Sequence, residues 1–584
     1  MPKKRLEHIC YLNQDLRKVR FPEVFYYAHV TLYEDEENDK IKAKYRITGW
    51  YRKKTGDGNM HEANRKLPIG IQDFEKIRQE GFLYVDKTEY VYKMVQSGMP
   101  YFLSRPRRFG KSLFLSTLRY YFEGKKELFK GLLIEELEKD NEDAWQEYPV
   151  FYIDFNKANF KADAALEEVL NEHLMGWESI YGDEDRDAPL SERFRYLIKK
   201  AYEKTGKKAV VLVDEYDKPL LEGGDTERIE HNKEVFKGFF STLKSYDGYL
   251  KFVFMTGVTK FSKVSIFSDL NQMNDISLDL DYSGICGITE SEMKGNFMPE
   301  IEAMAQTRGL SEEACLNTLK KMYDGYYFHQ DAQGVYNPFS LISSLSKKEF
   351  GMYWFSTGTP TFLIDKLKES GFDAKQFSED DYYEEESSLT DYRIDNENPV
   401  PLFYQTGYLT IKGYDEEFRS YALGYPNEEV RYGFLKSLAP YYLCAEKTSR
   451  PLDVRSFVKD IRRGDTDSIM DRFTALFARL PYPSDEKVVE QNFQNVIYIV
   501  FMLLGQFVVT EWHSAKGRAD CVVETDYYIY IFEFKRDKSV KEALKQIEDS
   551  GYAKPYAADG RTLLKIGVNF NSSERIIDGW EVVR

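Results

Sequence analysis

The eight residues RPRRFGKS, positions 105–112, stand between a short apolar run, YFLS (101–104), and a helical stretch, KSLFLSTLRYYF. They match the phosphate-binding pattern G-x-x-x-x-G-K-[ST], except that Arg105 replaces the first glycine. Gly110 lets the backbone close on phosphate oxygens, and the start of the next helix offers unpaired N–H groups to an anion. Lys111 reaches the β- and γ-phosphates, and Ser112 can hold Mg²⁺. Strand, loop and helix must follow one another for this to work, so the segment commits its part of the chain to an α/β unit. GKS by itself recurs by chance, and its bland counterpart is an arginine-rich surface loop. A second signal is therefore required.

That signal is AVVLVDEYD (209–217), an apolar strand ending in Asp214 and Glu215. Ligands bind parallel sheets at the carboxyl ends of their strands. Asp214 is expected to orient the Mg²⁺ shell and Glu215 to polarise the attacking water. Strand-length apolar runs at 101–104, 150–155, 209–213 and 251–257 alternate with helical stretches such as NKEVFKGFFSTLKSY. That pattern predicts a parallel sheet covered on both faces. The run KFVFMTGVTKFSK ends in hydroxyl residues; Thr256 or Thr259 is the candidate γ-phosphate sensor, and Thr256 is counted among the nucleotide-binding positions. Of the three loop arginines, Arg108 is nearest Gly110 and is the phosphate-proximal candidate, while solvated ion pairing is the default for Arg105 and Arg107.

The C-terminal part carries a second cluster. In YIYIFEFK, alternation puts Ile529, Ile531, Glu533 and Lys535 on one face and Tyr530, Phe532 and Phe534 on the other. The preceding stretch GRADCVVE contains Asp520, and a turn near 525–527 would set Asp520 beside Glu533. Two carboxylates and an ammonium are what metal-assisted phosphodiester hydrolysis requires: the carboxylates hold Mg²⁺, and the lysine positions water or stabilises the transition state. Glu490, on the preceding helix, is a further candidate metal ligand, and Gln546 faces a substrate groove in this reading. An isolated ExK would be an ordinary surface ion pair; the ordered helix, hairpin, helix and strand around it favour the site.

The whole composition bounds these readings. Hydrophobic residues make up 42% and charged residues 30% of 584, ordinary values for a folded chain of several domains. A net charge of −16 repels nucleic acid as a whole, so any DNA contact must come from a local basic surface or through metal. The five cysteines are scattered without a CxxC pair, which fits a reducing cytoplasm. The longest apolar stretch, 496–509, is interrupted by Gly505 and Gln506 and falls short of the ~20 residues that span a bilayer. It reads as a buried helix running into a strand, and no membrane partner is expected.

Several stretches carry a resemblance. GIQDFEKIRQEGFLYVDKTEYV, FLSRPRRFGKSLFLSTL, VVLVDEYDKPL, FMTGVTKFSKVSIFSDLNQMNDISL, YDGYYF and VYNPFSLI resemble the bacterial AAA-ATPase-like family, related to archaeal and STAND-type ATPases. The resemblance implies ATP and Mg²⁺ binding, with Lys111, Ser112 and Asp214 carried over. GRADCVVETDYYIYIFEFK, EALKQIEDSGYA and IGVNF resemble the PD-(D/E)XK nuclease domain that commonly ends such proteins, although Ala519 stands where that motif has proline. This implies Asp520, Glu533 and Lys535 as catalytic positions, with Glu490 and Gln546 beside them.

The expected architecture is α/β. In an N-terminal extension (1–65) the alternating stretches FYYAHVTLYED and KIKAKYRITGWYRK read as a β-hairpin or small sheet, followed by a P-loop NTPase core with a parallel sheet (66–288). Residues 289–445 read as a helical lid with a winged-helix module, 446–480 as a helical connector and 481–584 as a restriction-endonuclease-like domain. The acidic stretch 378–388 reads as a solvated connector. The function expected is an ATP-binding and hydrolysing protein that controls a metal-dependent deoxyribonuclease, with ATP and DNA as partners and a homo-oligomer admitted. The competing expectation is a non-cutting nucleotide switch whose nuclease-fold domain binds DNA or a partner. A purely structural protein would leave the GKS, DE and D-ExK set to coincidence.

Overall fold

The computed structural model describes residues 65–584 except 184, 224–225, 262–272, 356–362, 365, 368–381, 390–397, 444–452, 479–485, 506–508, 513–519 and 575. It also describes the backbone of 24–35 and 40–52, and backbone alone at 157, 441–443, 486–494 and 509–512. Strands β1 (Val24–Asp35) and β2 (Lys40–Arg52) pair antiparallel, as the alternation in the N-terminal region predicts.

The core is a five-stranded parallel sheet. Its members are β3 (Tyr101–Ser104), β4 (Val150–Asp154), β5 (Ala209–Asp214), β6 (Leu250–Gly257) and β7 (Asn274–Asp275), in the spatial order β4-β5-β6-β3-β7. Every residue of β5 is buried, as a strand covered on both faces demands. The helices Lys111–Phe122, Ala165–Tyr181, Leu190–Thr205 and Thr226–Ser245 supply the crossovers. Because β6 lies between β3 and β5, the phosphate-loop strand and the acidic strand do not touch; Leu103 pairs with Thr256 and Val213 with Met255. The predicted parallel sheet is present, with both signature loops at its carboxyl edge.

Beyond the sheet, β8 (Ile288–Thr289) and β9 (Val335–Tyr336) form a small ladder beside a lid of three helices, Glu290–Arg308, Glu312–Tyr323 and Pro338–Lys347. The first lid helix opens on a capping box, with Thr289 and Glu292 exchanging side-chain and backbone hydrogen bonds. A lid core of its own gathers Phe297, Ile301, Leu319 and Leu341.

The next part contains the Val400–Gln405 helix, a hairpin of β11 (Thr410–Asp415) and β12 (Ser420–Gly424), and the Glu428–Leu443 helix, with β10 (Tyr382–Glu385) on the far side of β12. So part of the acidic stretch expected to be a solvated connector is an edge strand. Its outward Tyr383 and Glu385 are exposed while Tyr382 and Glu384 are half-buried, an alternation that charge had hidden. The backbone contacts here are close: a side chain on Gly407 would meet Pro106, and one on Gly433 would meet the ring of Phe355.

The C-terminal sheet runs β13-β14-β15-β16-β17, from β13 (Val509–Trp512), β14 (Cys521–Glu524), β15 (Tyr528–Arg536), β16 (Thr562–Asn571) and β17 (Ile576–Val583). Only β15 and β16 are parallel, joined through the Val540–Asp549 helix. The stretch 496–509 divides as predicted between the Glu486–Leu504 helix and β13. Among the described residues no helix is long and apolar enough to cross a membrane. The helices Val454–Arg463 and Thr466–Phe477, read as a connector, pack on this sheet: Tyr530 donates its hydroxyl proton to Ile461 O, Phe473 stacks near Phe501 and Phe534, and Gly464 abuts Tyr528.

Candidate functional site

The Lys111–Phe122 helix starts where the phosphate-loop pattern puts it, with Gly110 at its N-cap and φ 97°. That dihedral suits glycine and lets the loop turn sharply into the helix. Lys111 is buried, and its ammonium donates to the carbonyls of Arg105 (3.0 Å) and Pro106 (3.2 Å). Glu215 Oε1 lies 3.5 Å from the same nitrogen. Two residues here hold left-handed backbone without being glycine, Arg108 (φ 67°) and Glu215 (φ 51°). Such conformations cluster where the surroundings impose them, often at functional sites.

Asp214 is 1% exposed, and its Oδ1 has no hydrogen-bond partner. Burial, and then the charge of Glu215, push its carboxyl up to about 7, while the Ser112 hydroxyl beside it pulls the other way. A buried, under-satisfied carboxylate next to a hydroxyl fits a hard cation, and Mg²⁺ needs only one or two protein groups when phosphates and water complete its shell. Ser112 and Asp214 are thus the residues able to hold it.

Lys111, Ser112 and Glu215 line a cavity of about 1040 Å³, its solvent-facing mouth included, with Asp214 set back behind Ser112. Its lining combines Arg108, Gly110, Lys111, Ser112 and Glu215 with apolar side chains, Ile71, Leu83, Val85, Ile288 and Phe339 among them. A pocket that sets anion-seeking groups among apolar walls suits a nucleotide. Lys87 also borders it, but its ammonium is held by Glu292 at 2.6 and 2.7 Å and by Gly284 O at 2.7 Å, pinning the segment before the loop to the lid.

The remaining candidates fall elsewhere. Thr256 is fully buried and donates to Leu103 O at 2.8 Å, and it does not border the cavity. Thr259 donates to Asp217 Oδ2 at 2.8 Å. Both hydroxyls are committed, Thr256 within β6 enclosed between β3 and β5 and Thr259 to Asp217 in the turn that follows. Arg105 is not a solvated pairing residue: it is 1% exposed, its guanidinium lies 3.9 Å from the centre of the Phe328 ring, and it donates to the carbonyls of Ser104, Ser277 and Tyr282. Arg107 pairs loosely with Glu222 at 3.5 Å, and Arg108 lies 5.0 Å over Phe339.

Asp217 escaped the sequence reading. It is fully buried and accepts from Val258 N (3.0 Å), Thr259 N (2.6 Å) and the Thr259 hydroxyl, holding the turn that follows β6. Its only sequence signal is a second aspartate three residues after Asp214.

In the C-terminal sheet Cys521 pairs with Phe532, so Asp520 stands opposite Glu533 as alternation predicts. Asp520 Oδ2 accepts from Phe534 N at 2.8 Å, and Lys535 Nζ donates to Glu533 Oε1 at 2.7 Å. Glu533 is 1% exposed, with Oε2 unpartnered; burial, then the charge of Asp520, raise its carboxyl above the usual range. Asp520, Glu533 and Lys535 are therefore brought together, and Glu533 Oε2 with Asp520 offers oxygens suited to Mg²⁺. Gln546 donates to the Tyr552 hydroxyl in the turn that follows its own helix. The side chain of Glu490 lies outside the described residues, as does Ala519. Asn569, also unread in the sequence, accepts from Lys538 N at 3.0 Å and donates to Asp578 at 2.7 Å, fixing the turn after the ExK strand. A polar residue in the apolar run IGVNF was its one signal.

Compared with known proteins, residues 68–267 match the profile of a predicted AAA-ATPase family, and residues 488–580 match that of the PD-(D/E)XK nuclease superfamily. An uncharacterized protein in the vnfD 5′ region of Azotobacter chroococcum mcd 1 is 35% identical over 531 residues, which cover 89% of this chain and 99% of that one. Among solved structures, the Aeropyrum pernix ORC1 protein in complex with DNA aligns over 59% of this chain and 90% of its own, at 8% identity and a TM-score of 0.23. Likeness that runs nearly end to end in one relative, with both profiles matched in order, means that the chain belongs to the predicted AAA-ATPase family and carries a C-terminal domain of the PD-(D/E)XK nuclease superfamily.

Proposed function

We propose that the chain binds ATP with Mg²⁺, hydrolyses it, and uses nucleotide state to govern a metal-dependent deoxyribonuclease centre at Asp520, Glu533 and Lys535. The observation that supports the ATPase reading is the meeting of Lys111, Ser112, Asp214 and Glu215 at the sheet edge, beside a cavity lined by both polar and apolar side chains. Lys111 would leave its loop carbonyls to neutralise phosphate oxygens, Gly110 and the helix start would hold the phosphates, and Glu215 would take up or orient the proton of the attacking water. Mg²⁺, when held by Ser112 and Asp214, would neutralise charge building on the phosphates.

In the C-terminal domain, Asp520 and Glu533 would hold a divalent ion, and Lys535 would release Glu533 to face a phosphodiester. The test is to incubate the purified chain with linear, circular and single-stranded DNA, with and without ATP and with Mg²⁺ or Mn²⁺. Cutting that requires metal and changes with ATP supports the reading.

A second reading has its own observation. One oxygen of each carboxylate is engaged inside the protein, by Phe534 N and Lys535. With a net charge of −16, this favours a nucleotide switch whose C-terminal domain binds without cutting. ATP binding with no cleavage in any arm of the same experiment selects it.

A further inference from the structure

Inside the phosphate loop, the Arg107 carbonyl accepts the indole N–H of Trp354 at 3.1 Å. Trp354 follows the lid and is 6% exposed, with its ring 5.0 Å from that of Tyr408. Its backbone N–H in turn donates to Glu429 Oε1 at 2.8 Å. Glu429 sits in the first turn of the Glu428–Leu443 helix, fully buried, and its Oε2 has no hydrogen-bond partner. A buried carboxyl left half-satisfied is costly, and the helix start offsets only part of that. What it does here is hold Trp354 against the loop.

The next loop residue, Arg108, has φ 67°, a conformation that is strained for any residue with a Cβ. A trans peptide is planar, so fixing the Arg107 carbonyl also fixes the direction of the Arg108 N–H on the same peptide. The indole bond thereby sets one of the loop's own donors and props its strained residue. Two neighbouring contacts grip the same region: Gly407 lies against Pro106, and Gln405 Oε1 accepts from Lys260 N at 3.0 Å in the turn after β6. The Glu428–Leu443 helix that carries Glu429 packs along the Glu486–Leu504 helix of the C-terminal domain.

We propose that Trp354 and Glu429 are a positioning pair that sets the phosphate-loop backbone for nucleotide, and that the helix bearing Glu429 carries nucleotide occupancy to the C-terminal domain. This rests on reading the cavity as a nucleotide site. Coupling of this kind requires an element that both sites bias, and the Glu428–Leu443 helix reaches the phosphate loop through Trp354 and packs on the Glu486–Leu504 helix of the C-terminal domain.

The experiment is calorimetric titration of the full chain with a non-hydrolysable ATP analogue and Mg²⁺, followed by hydrogen exchange with and without the analogue. Trp354→Phe keeps the ring and removes the indole donor, and is expected to weaken binding roughly five- to thirtyfold. Glu429→Gln retains an acceptor oxygen and should bind as wild type does, while Glu429→Leu should follow Trp354→Phe. In wild type the analogue should slow exchange in the phosphate loop and in both the 428–443 and 486–504 helices. In Trp354→Phe, at saturating analogue, protection should reach the loop and fail to reach the helices. Wild-type affinity together with undiminished protection of the helices in Trp354→Phe overturns the proposal. If the wild type binds no analogue, matching a Lys111→Ala control, the nucleotide reading itself falls and the pair falls with it.

Discussion

Lys111 Nζ lies 3.5 Å from Glu215 Oε1, and both side chains line the cavity. The two should separate in their effects. Lys111→Ala is expected to lower ATP affinity by at least about tenfold, since it removes a charge-assisted bond to phosphate. Glu215→Gln should leave affinity nearly unchanged and slow hydrolysis by about 10²-fold or more. Calorimetry and single-turnover hydrolysis on the same two proteins make the comparison, and equal affinity in the Lys111 variant would sink the phosphate-loop assignment.

Asp217 should matter for folding as much as for turnover. Asp217→Ala strands the amides of Val258 and Thr259 and the Thr259 hydroxyl in a buried place. The expected loss is about 3 kcal/mol or more of stability, read as a lower urea midpoint for the ATPase-core transition. Asp217→Asn, which keeps an acceptor, should lose less.

In the C-terminal domain, Asp520→Ala or Glu533→Ala should abolish metal-dependent DNA cleavage and leave ATP binding untouched. Lys535→Ala should reduce cleavage but spare metal binding, because an ammonium is not a ligand for Mg²⁺. A double Asp520→Ala, Glu533→Ala variant that still cuts at the wild-type rate would locate the activity elsewhere. Any DNA affinity should fall steeply with added salt, as phosphate contacts do.

Stability should also depend on pH through Glu429, whose carboxyl burial pushes from 4.5 to about 7. The folded state then holds a proton that the unfolded chain has released between about pH 4.5 and pH 7, so stability falls as pH rises through that window and levels off above it. The span is on the order of 3 kcal/mol. Glu429→Gln should flatten this component, and urea midpoints at pH 5 and pH 8 in the two proteins should reveal it. A wild type and variant with parallel pH profiles would contradict it.

How far the sequence could be read depended on the range of the interactions involved. The phosphate loop, the DE strand end and the Asp520–Glu533 register follow from local pattern: a glycine before a helix, an apolar run ending in acid, and side chains alternating along a hairpin. Arg105 was illegible because its partners are carbonyls at 277 and 282, far along the chain, and nothing near it in sequence announces burial. Tyr382–Glu385 looked like solvated charge because an edge strand takes its pairing from a distant partner, here β12. Thr256 looked available as a sensor because the sequence does not say that β6 would be enclosed by β3 and β5. Glu429 and Trp354 carry no motif at all; their relation exists only once the Glu428–Leu443 helix has packed beside the loop.

The flush glycines have a practical meaning. Gly407 against Pro106, Gly433 against Phe355 and Gly464 against Tyr528 lie at three successive seams of the molecule, the first at the phosphate loop and the last at the C-terminal sheet. At each, backbone meets a ring with no slack between them, so adding a single methyl group pries open that seam, at 407 shifting the phosphate loop itself and at 407 and 464 also straining a left-handed backbone. Alanine at 407, 433 or 464 would thus serve as a set of graded disconnections, letting an experimenter uncouple the parts of this protein one joint at a time.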